Sequence, residues 1–419
     1  MSAKGAHEPN SRYHPDQHRN MVHRHLVIYD HFYVGLPAMA AKQRIAFVAN
    51  TSWSIYKFRL YLIERLLEKG LSIVVLAPRD AYTASFEDLK GLTYIELYHF
   101  QGKNISPLAD WRLYRELLHH YRTFRPHLIF HYTIKANIFG TMAARRAGIP
   151  SVSVITGLGY AFTHKGWLRH VVKLLYKNTL PKSKETWVLN EDDRALLTRE
   201  RIVPSHSIFL LPGEGVDTGT FLAAPFQPGR KEIVFLFVGR MIRHKGVYEF
   251  VEASRLLIQR GLAVRCQLLG MFDDNPAAIP RHRVEEWNRQ GTVTYLGATD
   301  RVADILEQAD CIVLPSYYQE GMPMSLLEAA SMCKALIAAD TPGCRSLIEE
   351  GVNGYLCREK DSEDLARKMT AYYHLPTPEK QKMGMAARKK VLEHFTREQI
   401  TAIYLEKINT LAYSPVHPV

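Results

Sequence analysis

The stretch IVFLFVGRMIRHKG, residues 233–246, decides the fold. Its first six residues are apolar without alternation, the pattern of a short strand covered on both faces. Gly239 ends the run, Arg240 and Lys245 stand in the turn, and Gly246 precedes a helical pattern that starts at Val247. Strand, glycine turn and helix in that order make the first unit of a parallel α/β sheet, whose ligands bind at the carboxyl ends of strands. Two cations beside a helix N-terminus suit a diphosphate; a solvated basic turn is the alternative these residues alone leave open.

The rhythm continues outward in both directions. Downstream, apolar runs at 264–269, 293–296, 311–314, 336–339 and 355–357 alternate with helical segments. Upstream of a Pro/Gly-rich stretch at 225–229, the runs 45–49, 73–77, 94–97, 128–131, 152–155, 186–189 and 208–211 do the same, separated by helices such as 56–69, 107–124 and 137–147. A chain of 419 residues exceeds what one core usually organises. The expectation is α/β with two Rossmann-like domains facing a central cleft. Residues 44–213 form the first and 214–395 the second. In 396–419 a closing helix, 398–412, returns to the first domain. No short-period repeat interrupts this reading.

Composition narrows the class. Hydrophobic residues make up 47% and charged residues 23%, as in ordinary folded proteins, so disorder, collagen and a multi-span membrane protein are excluded for the bulk of the chain. The net charge is +12, and it is unevenly placed: residues 1–230 hold 30 basic and 18 acidic side chains, the remainder 24 of each. Between 111 and 184 there are 13 Lys/Arg and one acid, Glu116. Such an excess implies an anionic partner: nucleic acid, a phosphorylated metabolite or an anionic membrane surface. The five cysteines, all beyond residue 265 and without CxxC spacing, read as buried free thiols in a reducing compartment, and no metal site is expected. Residues 1–43, with six histidines, read as a disordered leader or a start assigned too early; 26–41 is neither a secretory nor a membrane-spanning segment.

A second motif follows the run 311–314. Pro315-Ser316-Tyr317-Tyr318-Gln319 leads to Glu320-Gly321-Met322-Pro323-Met324-Ser325-Leu326-Leu327-Glu328. Pro323 suits the first turn of a helix and Gly321 admits close approach of a ligand to backbone. The free N–H groups there hold anionic or hydroxyl oxygens, and carboxylates accept from sugar hydroxyls. Taken together, Gly239-Arg240…Lys245-Gly246, the Glu320/Glu328 pair, Pro342-Gly343-Cys344 and Gly351-Val352-Asn353-Gly354 resemble the retaining family 4 glycosyltransferases of GT-B fold.

That resemblance spans about 44–400 and carries its own expectations. It implies a metal-independent transfer from a nucleotide-sugar bound mainly by the second domain. UDP-sugar is then a co-substrate, and no cofactor is needed. Arg240 and Lys245 would grip the donor diphosphate, Glu328 the ribose, and Glu320 with the backbone of 321–324 the sugar; Gly239, Gly321, Met322, Pro323 and Met324 complete the donor set. Tyr132-Thr133-Ile134-Lys135-Ala136-Asn137-Ile138, 156–163 and Asp274-Asn275-Pro276 are similar to enzymes that extend undecaprenyl-diphosphate-linked sugars, many of them N-acetylgalactosaminyltransferases. Lys135, Asn137, Gly157 and Gly159 thereby become acceptor or phosphate candidates, with a surface lysine and a plain β-to-α turn as the alternatives. Two departures stand out. Asn50-Thr51-Ser52-Trp53-Ser54 replaces a Gly-rich loop, and no His stands near Ile134, so a catalytic His is not carried over; nearby His131 reads as a strand-end residue.

In 164–184, Lys165, Arg169, Lys173 and Lys177 recur every four residues, while Trp167, Leu168, Val171, Val172, Leu174 and Leu175 fill a separate arc. Two readings remain: a surface helix packed on its own domain, or an interfacial helix on anionic lipid with Trp167 at headgroup level. The function expected is transfer of a sugar, an acetamido sugar such as GalNAc, from UDP-sugar to a polyprenyl-diphosphate-linked saccharide. The place expected is the cytoplasm, at the inner face of the membrane. A UDP-sugar 2-epimerase of the same architecture is the alternative. A nucleic-acid binder lacks any motif.

Overall fold

The computed structural model describes residues 43–100, 106–158, 167–273, 277–318 and 320–412. The expected leader, the motif 274–276, Gly159 and Lys165 lie outside the described residues. The first sheet has seven parallel strands: β1 (Arg44–Val48), β2 (Ser72–Ala77), β3 (Leu92–Glu96), β4 (Leu128–Tyr132), β5 (Ser151–Ile155), β6 (Glu185–Val188) and β7 (Ile208–Leu210). The second has six: β8 (Ile233–Val238), β9 (Val264–Leu269), β10 (Thr294–Tyr295), β11 (Cys311–Leu314), β12 (Ala335–Ala339) and β13 (Gly354–Cys357). Their orders are β3-β2-β1-β4-β5-β6-β7 and β10-β9-β8-β11-β12-β13. The two-domain α/β architecture read from the alternation is therefore borne out. The strand order of each sheet reverses once, between β1 and β4 and between β8 and β11, which is where doubly wound sheets bind ligands.

The sheets are sandwiched because their strands are apolar on both faces. On one face of the first sheet, Ala46, Val48 and Ile129 pack with Leu113, Leu117 and Tyr121 of the helix Pro107–Phe124 and with Ala143 and Ala144 of Thr141–Ala147. On the other, Phe130 and Trp187 pack obliquely and edge-on against Tyr404, at ring distances of 5.1 and 4.9 Å. Tyr404 belongs to the last helix, Arg397–Leu411, so the chain ends its described course against the sheet where it began. The two crossings between sheets run side by side: Val216 N–H donates to Phe395 O (2.8 Å) and Arg397 N–H to Val216 O (3.1 Å).

Local differences from the sequence reading have local causes. The first helix is Ser52–Glu68, not 56–69, because the Thr51 side chain accepts from Ser54 N–H and starts it four residues early. The segment 137–147 is a π-helical turn, Ala136–Gly140, followed by Thr141–Ala147. The His131 ring occupies the space beside Gly140, where a Cβ would lie 2.5 Å from it, and the wider turn accommodates it. His131 is fully buried between Tyr121 Oη (2.9 Å) and Thr141 Oγ1 (3.3 Å), and burial lowers its pKa to about 3. It is a neutral core residue. Pro323 is the residue before its helix, Met324–Ser331, rather than within its first turn. All five cysteines are buried thiols.

Candidate active site

The second sheet builds the site from two loops pressed together. The turn after β8 runs through Arg243–Lys245 to Gly246, whose φ of 79° admits few residues but glycine. A Cβ there would lie 2.1 Å from Pro315 O, in the loop after β11. Tyr317 and Tyr318 N–H both donate to His244 O, at 3.0 and 3.1 Å. The two loops therefore behave as one unit, and it carries the charges. Lys245 Nζ lies 2.6 Å from Glu320 Oε1, to which Ser316 Oγ also donates (3.0 Å). Arg240 reaches Asp273 at 2.6 Å and is half exposed. Each cation read from the sequence is thus held beside a carboxylate, and both stand at the carboxyl ends of β8 and its neighbours.

Backbone donors complete the unit. The Gly321 amide is bonded to Thr156 O (3.1 Å) and Pro323 carries none, so the donors offered at the start of Met324–Ser331 come from Met322, Met324 and Ser325. The Gly321 contact crosses between the sheets. Asn190, after β6, donates from Nδ2 to Gly321 O (3.1 Å) while its Oδ1 caps its own helix, Glu191–Arg199. From below, Gly343 lies so close that a Cβ would be 2.7 Å from Glu320 O. Gly321→Ala would put its Cβ 2.5 Å from Thr156 O and 2.8 Å from Leu189 Cδ1. It is expected to push the two sheets apart, costing about 1–3 kcal/mol of stability and raising the donor KM. Unchanged thermal unfolding and KM would refute this packing.

Glu328 is buried at 8% exposure. Burial pushes its carboxyl up to about 7, Lys57 and Arg397 drawing it partly back. Its ordinary value is 4.5, so the folded chain holds a proton that the unfolded chain has lost between about pH 4.5 and 7. Stability contributed by this group falls as pH rises through that window. Glu328→Gln is expected to stabilise the protein by up to about 3 kcal/mol near pH 8 and to do little near pH 5. Denaturant titration at both values checks it; equal effects would assign the cost of Glu328 to packing, not charge.

The first sheet presents its own features to the same side. Thr133, after β4, has φ 75°, strained for a β-branched residue, and its buried hydroxyl has no hydrogen-bond partner among the described residues. Lys135 Nζ pairs with Asp110 at 2.8 Å, both side chains mostly buried, so it is no surface lysine. Gly157, φ 143°, follows Thr156 at the point of contact. Asn137 is removed from the ligand set: it is buried, and its Nδ2 is bonded to Val154 O (3.0 Å) inside the sheet. Asn353 is likewise structural, tying Glu349 N–H and Leu347 O. Asn190, Thr156 and Asp273 were missed from sequence. Asn190 carried a signal, as a cap before Glu-Asp-Asp, but its partner lies 131 residues away.

On the helix Trp167–Thr179 the arcs do not separate as expected. Val172 and Tyr176 are buried in the domain, Val171 and Leu174 are exposed, and Lys173 pairs with Glu200. Arg169 and Lys177 stand on its outer side, Arg169 half-buried and Lys177 exposed. The side chain of Trp167 lies outside the described residues. Among those residues, no helix is long and apolar enough to cross a membrane.

Two doubly wound sheets that meet at their strand ends, with cations and carboxylates beside the contact, are the architecture of GT-B glycosyltransferases. The chain belongs to the group 1 glycosyltransferases: residues 222–390 match the model "Glycosyl transferases group 1" and residues 57–213 match "Glycosyl transferase 4-like domain". It is similar to the N,N'-diacetylbacillosaminyl-diphospho-undecaprenol alpha-1,3-N-acetylgalactosaminyltransferase of Campylobacter jejuni, 29% identical over 78% of this chain and 88% of that one. It is also similar to the UDP-Gal:alpha-D-GlcNAc-diphosphoundecaprenol alpha-1,3-galactosyltransferase of Escherichia coli, 28% identical over 62% and 69%. A glycosyltransferase from Rickettsia africae superposes with a TM-score of 0.75 at 16% identity, covering 89% of this chain and 99% of that one. Anabaena Alr3699/HepE, solved with UDP and glucose, superposes with 0.70 at 16% identity over 88% and 100%. The protein is a glycosyltransferase by family.

Proposed function

We propose that this enzyme transfers a hexose, an acetamido sugar such as GalNAc, from UDP-sugar to a polyprenyl-diphosphate-linked saccharide, with retention and without a metal ion, at the inner face of the cytoplasmic membrane. The observation that supports the reading is the fused pair of loops after β8 and β11, which holds Lys245 against Glu320 and Arg240 against Asp273 at the carboxyl ends of the strands. Arg240 and Lys245 hold the diphosphate as its charge develops, in the role that fixed cations play in leaving-group stabilisation. Glu328 accepts from the ribose hydroxyls. Glu320, steadied by Ser316, positions the donor sugar. The first domain takes the acceptor, with Lys135 and Gly157 beside its diphosphate. The lipid-linked substrates in the names of the two relatives above support this acceptor class.

A panel of UDP-sugars against short-chain polyprenyl-diphosphate saccharides, read by mass and by NMR of the new anomeric centre, tests the reading. One UDP-sugar is expected to react with retained configuration and with full activity in EDTA. Inversion, or loss of activity in EDTA, would overturn the mechanism. The 2-epimerase alternative is not favoured, since the matched relatives are transferases.

A further inference from the structure

Part of the excess charge of the first domain lies on two packed helices, Pro107–Phe124 with Arg112, Arg115 and Arg122, and Thr141–Ala147 with Arg145 and Arg146. The inner side of Pro107–Phe124 is core: Leu113, Leu117 and Tyr121 are buried. At about 100° per residue, Leu108, Trp111, Arg112, Arg115, His119 and Arg122 share the opposite arc. All six are exposed, Leu108 by 57% and Trp111 by 53%. With Arg146 of the neighbouring helix, five of them line a shallow groove of about 910 Å³. Among the described residues, no carboxylate pairs with Arg112, Arg115, Arg122 or Arg146, and the Arg115 guanidinium lies over Trp111 at 5.3 Å.

The acids nearby are turned to other partners. Glu116 accepts from Tyr98 and His99 N–H, Asp110 holds Lys135, and Glu200 holds Lys173. Four arginines thus face one carboxylate in the groove, Glu116, and an approaching anion meets net positive charge. A lone exposed Trp or Leu is ordinary on a protein surface, but here both end a row of arginines. Against an interface that combination has a use: the ring sits at headgroup depth while guanidinium groups bind phosphates. That apolar end is also the cleft end, because the helix starts after β3 and Asp110 ties it to Lys135 after β4.

We infer that the outer face of Pro107–Phe124, with Arg146, docks this protein on an anionic phospholipid surface. The helix Trp167–Thr179, where the sequence pattern placed the contact, is secondary, since part of its apolar arc and Lys173 serve the fold. The inference deepens the proposed function, in which the acceptor is carried by a lipid. It is tested without donor or acceptor, so docking and sugar transfer can fail separately.

The experiment is flotation of the full chain with vesicles of phosphatidylcholine alone or mixed with phosphatidylglycerol, at rising salt. The wild type is expected to float only with the mixed vesicles and to be released by salt. Arg112→Glu combined with Arg115→Glu is expected to lose at least about 30-fold in partition, the loss for two basic contacts. Trp111→Ser with Leu108→Ser, a second and uncharged variant, is expected to weaken binding by about 10-fold or more. All these side chains are exposed, so the thermal midpoint stays at the wild-type value. Wild-type flotation in both variants would overturn the inference. So would loss only in Arg169→Glu with Lys177→Glu, or binding of duplex DNA in place of vesicles.

Discussion

Lys245→Ala is expected to lower turnover by about 10²- to 10³-fold with no comparable loss of fold, the scale on which a fixed donor to developing negative charge acts. The reason lies in how rigidly the ammonium is held. It ends the turn Arg243–Lys245, the next residue abuts Pro315 O, and the side chain is only 14% exposed beside Glu320. Under the proposed function, a cation held in that setting stands beside the departing diphosphate and has only to exchange its Glu320 contact for it. Lys245→Arg is not a rescue, because a planar fork does not fit a site shaped for a compact ammonium. Arg243→Ala, two residues earlier in the turn and lying over Tyr248 at 5.9 Å, is the control and is expected to keep most activity. Turnover of Lys245→Ala within a few-fold of wild type would remove it from the site.

Arg59→Met is expected to cost about 3–5 kcal/mol of stability, the range for a buried ion pair that loses one member. Arg59 and Glu214 are both buried and form a direct ion pair, Arg59 on the first helix and Glu214 on the segment that crosses to the second sheet. The guanidinium also donates to Ser54 O (3.0 Å) and lies 3.8 Å above the Tyr132 ring, whose hydroxyl meets that of Tyr404 at 2.9 Å. Burial raises the pKa of Glu214 above 4.5 even with Arg59 opposite. Without Arg59 it rises further, so the folded state takes up a proton that the unfolded chain lacks above that value. The loss is therefore largest at alkaline pH and shrinks as pH falls toward 4.5. Arg59→Met with Glu214→Met is expected to recover most of the stability, because no charge is left unpaired. Denaturant titrations of the single and double variants read this directly; equal destabilisation in both would reduce Arg59 to a packing residue.

Much of this architecture was legible in the residues. Unbroken apolar runs such as 233–238 and 311–314 have no polar face to show water, so strands covered on both sides are the one way to satisfy them. Glycines at 239, 246 and 321 mark turns at strand ends, and those turns do carry the ion pairs of the site. Where the reading slipped, it slipped on side-chain duties that depend on distant neighbours. Asn137 looked free beside Lys135 but is held by Val154 O in the next strand. Pro107–Phe124 was read as an ordinary helix, although its exposed arc was there to be read at helical spacing. The basic stripe in 164–184 drew the attention instead, and the fold uses part of that stripe internally.

Local pattern thus determined strands, helices, turn glycines and the concentration of charge in 111–184, since each follows from a few consecutive residues meeting water or backbone. Folding alone settled which charges stay paired. Lys135 went to Asp110, Lys173 to Glu200 and Arg59 to Glu214, while Arg112, Arg115, Arg122 and Arg146 were left facing outward. It also settled that Gly321, in the loop after β11, touches Thr156 and Asn190 of the other sheet. Sequence spacing does not carry such contacts, because whether a charge is buried, paired or offered to solvent depends on what the rest of the chain brings beside it.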